Sequence, residues 1–250
     1  MATLLNYPLI VFVITFAVLW AAALIGDKAG QKRRMNEDQQ SDFSIVTAAT
    51  LTLLGLIIGF SFSMATGRYD QRKNYEEEEA NAIGTEYVRV DMLPEAERAE
   101  VKSLLRQYTD LRIQLYTSSY ADDITPIQQK TAQLQDQMRT AVAKVVSGQQ
   151  TPVMSQVMTG MNDVLNSQGY AQAARWNRIP IGAWYLMFGT AVLCNLLLGF
   201  GLKTFNPKVL LILPLVVALA FFLIADIDGP RGGVIRVVPE NLMALRNGLK

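Results

Sequence analysis

The residues of this 250-residue chain that are best placed for chemistry are clustered acidic side chains. Nucleophiles and metal-binding imidazoles offer no comparable pattern. The chain has no histidine and a single cysteine, Cys194, so it lacks the commonest general base, the commonest zinc ligand and any intrachain disulfide. Ser–His and Cys–His catalysis are therefore excluded, and we expect no enzyme activity. A formal net charge of +1 also lacks the basic excess that a nucleic-acid partner would require.

Four consecutive glutamates form the first acidic cluster, at positions 76–79. In an oligomer, Glu76 and Glu79 could form acidic rings at a pore mouth, and such rings favour cations. The alternative is a solvated helix face, on which Arg72 and Lys73 pair with glutamates four residues further on. Glu79 is followed by Ala80 and is predicted to face a neighbouring helix, which makes it the preferred functional carboxylate.

Asp226 and Asp228 form the second acidic cluster, next to glycines at a predicted helix end. Carboxylates in this position could bind a divalent cation through oxygen ligands. Two carboxylates are too few for a complete cage. Apart from a divalent cation at this cluster, the sequence predicts no cofactor. The alternative is a structural role, in which the aspartates bond Arg231 or Arg236 or cap the terminal segment.

Membrane helices must position both clusters, because four apolar stretches are each about long enough to cross a hydrocarbon core of roughly 30 Å. The stretches are residues 8–26, 43–67, 179–202 and 209–225. The sequence therefore predicts an all-α polytopic membrane protein in a lipid bilayer, with a helical soluble bundle inserted between transmembrane helices 2 and 3. The predicted segments are a first hairpin at 1–67, an extramembrane domain at 68–178, a second hairpin at 179–226 and a tail at 227–250.

Prolines divide the extramembrane segment into helices. Pro94, Pro126 and Pro152 each stand where a helix can begin, with Thr125 and Thr151 as the preceding caps of the latter two. Apolar residues then recur at helical spacing. Turns are predicted at 118–123, 147–150 and 166–169, the last leading into a short helix that ends near residue 180.

The second span is predicted to continue as a helix beyond the membrane, because no proline interrupts it before position 94. Gly55 and Gly59, four residues apart, allow close approach of a neighbouring helix. On one face of the span lie two hydroxyl and two bulky apolar side chains: Thr52, Leu56, Phe60 and Ser63.

Several short motifs give this chain a family resemblance. Gly59-Phe60, Ser63 and Arg68-Tyr69 are followed by EANAIG at 79–84 and by IDGPRGG at 227–233. Together they resemble the bestrophin-like family of bacterial membrane proteins and, more remotely, the bestrophin ion channels. The likeness spans most of the chain.

The resemblance implies a homo-oligomeric channel for inorganic ions, a pentamer in bestrophins, in which the second helix of each subunit lines a central pore. Carried over by position, Phe60 and Leu56 form an apolar neck with Thr52 as a third level. Thr52 departs from the family pattern, because its hydroxyl would hydrate a constriction that bestrophins keep apolar.

The resemblance also implies an orientation in the bacterial inner membrane, with the helical domain and both termini in the cytosol. Basic residues in the two short loops lie at positions 28, 32–34, 203 and 208, and they favour the opposite orientation, with these loops in the cytosol. The basic residues that flank the helical domain nearly balance them. The family likeness decides between the two.

A second class of function stays open beside the channel. The helical domain of a membrane sensor or scaffold would signal through a separate partner. The stretch after Asp228 is too short for an output domain, which favours the channel.

Overall fold

The computed structural model describes residues 4–32, 35–119, 122–148, 151–202 and 207–249, and these residues form helices without any strand. A 3-10 turn at Leu4–Asn6 precedes the first α-helix, and another at Val90–Met92 follows the second. The α-helices are α1 Pro8–Gln31, α2 Glu37–Arg89, α3 Glu95–Thr117, α4 Thr125–Gly148, α5 Pro152–Trp176, α6 Ile181–Gly201, α7 Pro207–Asp228 and α8 Glu240–Gly248. The all-α prediction is confirmed.

Four helical stretches are long and apolar enough to cross a membrane, as predicted. They are α1, the stretch Glu37–Met92 that contains α2, the stretch Pro152–Gly201 that contains α6, and α7. The 53 residues of α2 correspond to a length of about 80 Å at 1.5 Å per residue. This exceeds what a bilayer core requires, so the predicted continuation of the second span is also confirmed.

The first two helices extend beyond their apolar stretches. α1 continues past residue 26 to Gln31, whose side-chain amide donates to Asp27 at 2.7 Å. α2 begins at Glu37, after Asn36 has accepted a hydrogen bond from the backbone N–H of Gln39 at 2.8 Å. Hydropathy marks the part of a helix that lies in lipid, whereas capping groups decide where the helix begins.

The predicted turn at 166–169 is wrong, because α5 is one helix from Pro152 to Trp176. Its buried stripe continues through Val164, Ser167, Ala171 and Ala174, and this packing outweighs the weak helix preference of Gly169. The other two predicted turns contain residues 120–121 and 149–150, which lie outside the described residues.

The two predicted threonine caps have different outcomes. Thr151 caps α5 as predicted, since its hydroxyl accepts a hydrogen bond from the backbone N–H of Met154 at 3.2 Å. Thr125 is already the first residue of α4, and its own N–H donates to the Asp123 carboxylate at 2.9 Å. The acceptor before α4 is therefore Asp123, and the Thr125 prediction is wrong.

The chain divides into two compact units. One contains Met1–Gly67 and Arg178–Ile235, and the other contains Arg68–Asn177 and Arg236–Lys250. The segment 227–250, predicted as a tail of its own, is therefore split between them.

In the first unit, glycines bring α1 and α6 together. A Cβ atom at Gly26 would collide with the backbone of Leu196, and one at Gly199 would collide with the carbonyl of Ala23. Gly30 likewise lies against the backbone of Phe200. Small residues allow this approach in a membrane, where lipid supplies no hydrophobic drive for helices to associate.

In the second unit, the core joins the later half of α2 to the helices packed around it. Ile83 of α2, Leu105 of α3, Met138 of α4 and Met161 of α5 are all fully buried there. Leu242 of α8 belongs to the same core, which explains why the chain end lies with this unit.

Candidate pore helix and acidic sites

The apolar part of α2 is the least covered of the candidate spans. Only 6% of its most apolar window is buried within the chain, against 33% for α1 and 50% for α7. The predicted neck residues lie on this open surface, with Leu56 54% and Phe60 70% exposed and Thr52 and Ser63 exposed beside them. The Thr52 hydroxyl donates to the carbonyl of Ala48 at 2.9 Å, which satisfies its donor within the helix.

The two glycines of the same stretch have no close neighbour in the described part of the chain. Nothing lies within 4 Å of a Cβ atom placed on Gly55 or on Gly59. Close packing at these positions stays a prediction, and it would have to involve another molecule.

Glu76 is fully buried, which corrects both predicted placements, the solvated helix face and the open pore mouth. Its carboxylate accepts hydrogen bonds from the side-chain amide of Asn241 at 2.7 Å and from the backbone N–H of Leu242 at 2.9 Å. Both donors belong to the first turn of α8, whose free N–H groups favour a negative charge. Burial raises the pKa of Glu76, and the two hydrogen bonds oppose that rise.

Glu79 faces a neighbouring helix, α3, and is fully buried there rather than placed at a pore mouth. Arg112 forms an ion pair with it, donating from Nε to one carboxylate oxygen and from Nη2 to the other at 3.2 Å. The hydroxyl of Tyr108 donates to the same carboxylate at 3.3 Å. Although burial opposes the charge of Arg112, the Glu79 carboxylate raises the pKa of the guanidinium. The negative charge of Glu79 is therefore balanced by an arginine of its own subunit.

A second arginine, Arg175, packs against the ring of Tyr116 near this ion pair. The guanidinium carbon of Arg175 lies 4.1 Å from the ring centroid of Tyr116, and that of Arg112 lies 5.9 Å from it. Burial raises the pKa of Tyr116 to about 12, so the phenol stays neutral. Both arginines thus lie near the Tyr116 ring, and Arg112 also pairs with the buried Glu79 carboxylate.

Asp226 holds the chain that follows α7. Its two carboxylate oxygens accept the backbone N–H groups of Val234 at 2.9 Å and Ile235 at 2.8 Å. The chain turns through Gly233, whose φ of 78° suits glycine and whose missing side chain leaves room for the Asp226 carboxylate. This favours the structural alternative.

Asp228 also accepts hydrogen bonds from protein groups, as a residue with a structural role does. It accepts from the guanidinium Nε of Arg178 at 3.2 Å and from the backbone N–H of Ile179 at 3.1 Å. Arg178 also donates to the side-chain oxygen of Asn6 at 2.6 Å. The described partners of the two aspartates are Arg178 and backbone groups. A bond to Arg231 or Arg236 stays a prediction. Within the described residues, no group of three or more acidic or cysteine side chains could hold a metal ion.

The sequence reasoning missed the buried carboxylate of Glu86. Glu86 on α2 is fully buried, and neither of its carboxylate oxygens has a hydrogen-bond partner among the described residues. It lies against α5 at Gly160, where a Cβ atom would collide with it. Burial, strengthened by Asp163 and opposed by Arg89, raises the pKa of Glu86 to about 8. The signal available in the sequence was position, since Glu86 follows Ile83 on the apolar stripe of α2.

The fold and these sites define a helical membrane protein in which a long second helix serves both a membrane hairpin and a soluble bundle. The sequence matches the bestrophin-like domain over residues 11–242. The chain therefore belongs to the bestrophin-like family, as the short motifs predicted. No curated protein matches it.

Solved structures of a bacterial bestrophin homolog from Klebsiella pneumoniae share this fold. A single-residue variant of that protein is 15% identical, with a TM-score of 0.66 over 95% of this chain and 93% of the other. The structure obtained by Zn-SAD phasing is also 15% identical, with a TM-score of 0.65 over 95% of both chains. A second variant, 14% identical, has a TM-score of 0.66 over 95% of both chains.

Proposed function

We propose that the protein is an oligomeric ion channel in which α2 of each subunit lines a central pore. The observation that carries the proposal is the open surface of the apolar part of α2, only 6% of which is buried by its own chain. Family membership supports the channel class and gives no support to an enzyme.

The composition of this surface favours a pore and a subunit interface over simple lipid contact. Lipid would cover Leu56 and Phe60 equally well, but it gives no reason for glycines and hydroxyl groups on the same stretch. Gly55 and Gly59 suit contact with an adjacent helix, while Thr52 and Ser63 suit contact with water or ions.

One helix per subunit cannot enclose a pore, so the proposal requires several copies. A closed ring about an axis is the usual form of such an assembly. By analogy with bestrophins we propose a pentamer, located in a bacterial inner membrane with the soluble bundle and both termini in the cytosol.

Selectivity in this proposal does not come from Glu76 or Glu79, because each is enclosed by its own subunit. Of the glutamate run, Glu77 and Glu78 are exposed on α2. If an acidic ring lies at the pore mouth, these two side chains form it and favour cations.

The test is ion flux through the purified protein in liposomes, under a salt gradient whose reversal potential separates cations from chloride. Phe60 is proposed to form the narrowest apolar constriction of the pore. Its truncation in Phe60→Ala should therefore widen the constriction and raise conductance. Ile212→Ala is the matched control, because Ile212 is an apolar residue of α7 that is also 60% exposed. It should leave conductance unchanged.

The oligomeric state, measured by native mass spectrometry, accompanies the flux assay. A monomer would exclude the pore. Electrically silent vesicles that contain intact oligomers would instead favour the sensor or scaffold alternative.

A further inference from the structure

A buried ionisable group lies between α2 and α5 of the second unit. Glu86 is fully buried, and neither of its carboxylate oxygens accepts a hydrogen bond from a described residue. A bare carboxylate in such a place is costly, so the group retains its proton instead. With a pKa of about 8, Glu86 releases this proton only in mildly alkaline solution.

Two charged side chains act on Glu86, Arg89 of the same helix and Asp163 of α5. The Arg89 guanidinium favours the ionised form of Glu86, and the Asp163 carboxylate disfavours it. Arg89 Nη1 lies 3.9 Å from Asp163 Oδ2, which is a long ion pair. The two side chains are 31% and 59% exposed, so both have room to change conformation.

Gly160 of α5 allows Arg89 and Glu86 to lie beside one another. A Cβ atom at this position would collide both with Glu86 Oε2 and with Arg89 Nη1. The same guanidinium nitrogen therefore lies next to two carboxylates, the buried one of Glu86 and the exposed one of Asp163. Exchange of one carboxylate for the other requires only a rotation of the Arg89 side chain.

We propose that these residues form a proton-operated switch, in which Arg89 pairs with Asp163 while Glu86 is protonated and pairs with Glu86 once that carboxyl has ionised. An ionised carboxylate is the stronger acceptor for a guanidinium, and burial strengthens the attraction further.

The exchange changes what the arginine connects. Its pair with Asp163 joins α2 to α5, whereas a pair with Glu86, three residues earlier, lies within α2. Ionisation of Glu86 thus removes one connection between the two helices and loosens α5. Because α2 runs unbroken from Glu37 to Arg89, the switch lies on the helix that carries the proposed pore surface.

Hydrogen exchange of the α5 amides measures this connection in the full-length protein in detergent. The perturbation is Asp163→Asn, which removes the exposed partner of Arg89 without touching the core. Its effect is measured at pH 6.5 and at pH 9. Variant and parent are always compared at the same pH, so the intrinsic pH dependence of exchange cancels.

At pH 6.5, Asp163→Asn should speed the exchange of α5 about threefold, as expected for the loss of a partly exposed ion pair. At pH 9 the same substitution should have no effect in the wild type, because Arg89 has already left Asp163. In a Glu86→Gln background, whose amide cannot ionise, the effect should persist at pH 9.

Asp136→Asn is the matched control. Asp136 is likewise exposed and paired with an arginine, but its partner Arg139 belongs to the same helix, α4. This substitution should leave the exchange of α5 unchanged at both pH values.

Three outcomes would overturn the proposal. An equal effect of Asp163→Asn at both pH values in the wild type would show that Arg89 does not change partner. No effect at either pH would show that the pair does not join the helices. Loss of the effect at pH 9 in the Glu86→Gln background would show that another group titrates. Because the readout is exchange rather than flux, these outcomes leave the channel proposal unaffected.

Discussion

The buried carboxyl of Glu86 makes folding stability depend on pH. In the unfolded chain this group has an ordinary pKa of 4.5, whereas in the folded bundle its pKa is about 8. The folded protein therefore holds a proton that the unfolded chain releases between these two values. The contribution of Glu86 to folding stability is therefore greatest below pH 4.5, falls as pH rises toward 8, and stays constant above that value.

The size of the effect follows from the distance between the two pKa values. Each unit of pKa corresponds to about 1.4 kcal/mol, so the difference between 4.5 and about 8 sets an upper value of about 5 kcal/mol for the loss. Burial is the largest cause, because neither carboxylate oxygen has a hydrogen-bond partner in the described structure. The Arg89 guanidinium reduces the cost but does not cancel it.

Glu86→Gln tests this reasoning, because an amide keeps the shape of the side chain and cannot ionise. We expect the melting temperature of the variant, relative to the wild type, to rise between pH 5 and pH 8 and then level off. At about 2–4 °C per kcal/mol for a chain of this size, the relative gain at pH 8 should amount to several degrees. Tryptophan fluorescence of the protein in detergent, followed on heating at each pH, gives the measurement.

The matched control is Glu77→Gln, at an exposed position of the same helix. Its melting temperature should follow that of the wild type at every pH. If the difference between Glu86→Gln and the wild type were constant from pH 5 to pH 9, Glu86 would not be the group that retains the proton, and the argument from burial would be refuted.

Two further predictions concern packing. Glu79→Gln should destabilise the bundle by about 3–5 kcal/mol, because it leaves Arg112 buried without a counter-charge; denaturation of the detergent-solubilised protein at pH 7 measures this, and a loss below about 1 kcal/mol would show that the pair is solvated. Gly199→Ala should separate α1 from α6 and lower the melting temperature, because its Cβ atom would collide with the carbonyl of Ala23, whereas Gly189→Ala in the same helix meets open space and should be tolerated. Equal behaviour of the two glycine variants would contradict the close approach of α1 and α6.

The helices could be predicted from the sequence, whereas the surroundings of the acidic residues could not. The sequence predicted four spans, a second helix that continues beyond the bilayer, and a Thr151 cap, all of which the structure contains. These features depend on hydropathy, on proline and on groups within a few residues, so they can be recognised along the chain.

The surroundings of the acidic residues could not be recognised in this way. Glu76 meets Asn241 at a sequence separation of 165, and Glu79 meets Arg112 at a separation of 33. Helical periodicity shows which face a carboxylate occupies, but it does not show which helix covers that face. For this reason the predicted pore-mouth glutamates turned out to be buried within their own unit.

The sequence by itself determined the class of this protein, because membrane-spanning length, helical content and the family motifs are properties of local segments. Only the tertiary structure decided how its polar groups are used. It paired Asp228 with Arg178, brought Gly199 against α1, and left the Glu86 carboxylate without a hydrogen bond from any described residue. The physical reason is that a buried charge or a close backbone contact depends on what lies opposite, and that neighbour is supplied by a distant part of the chain.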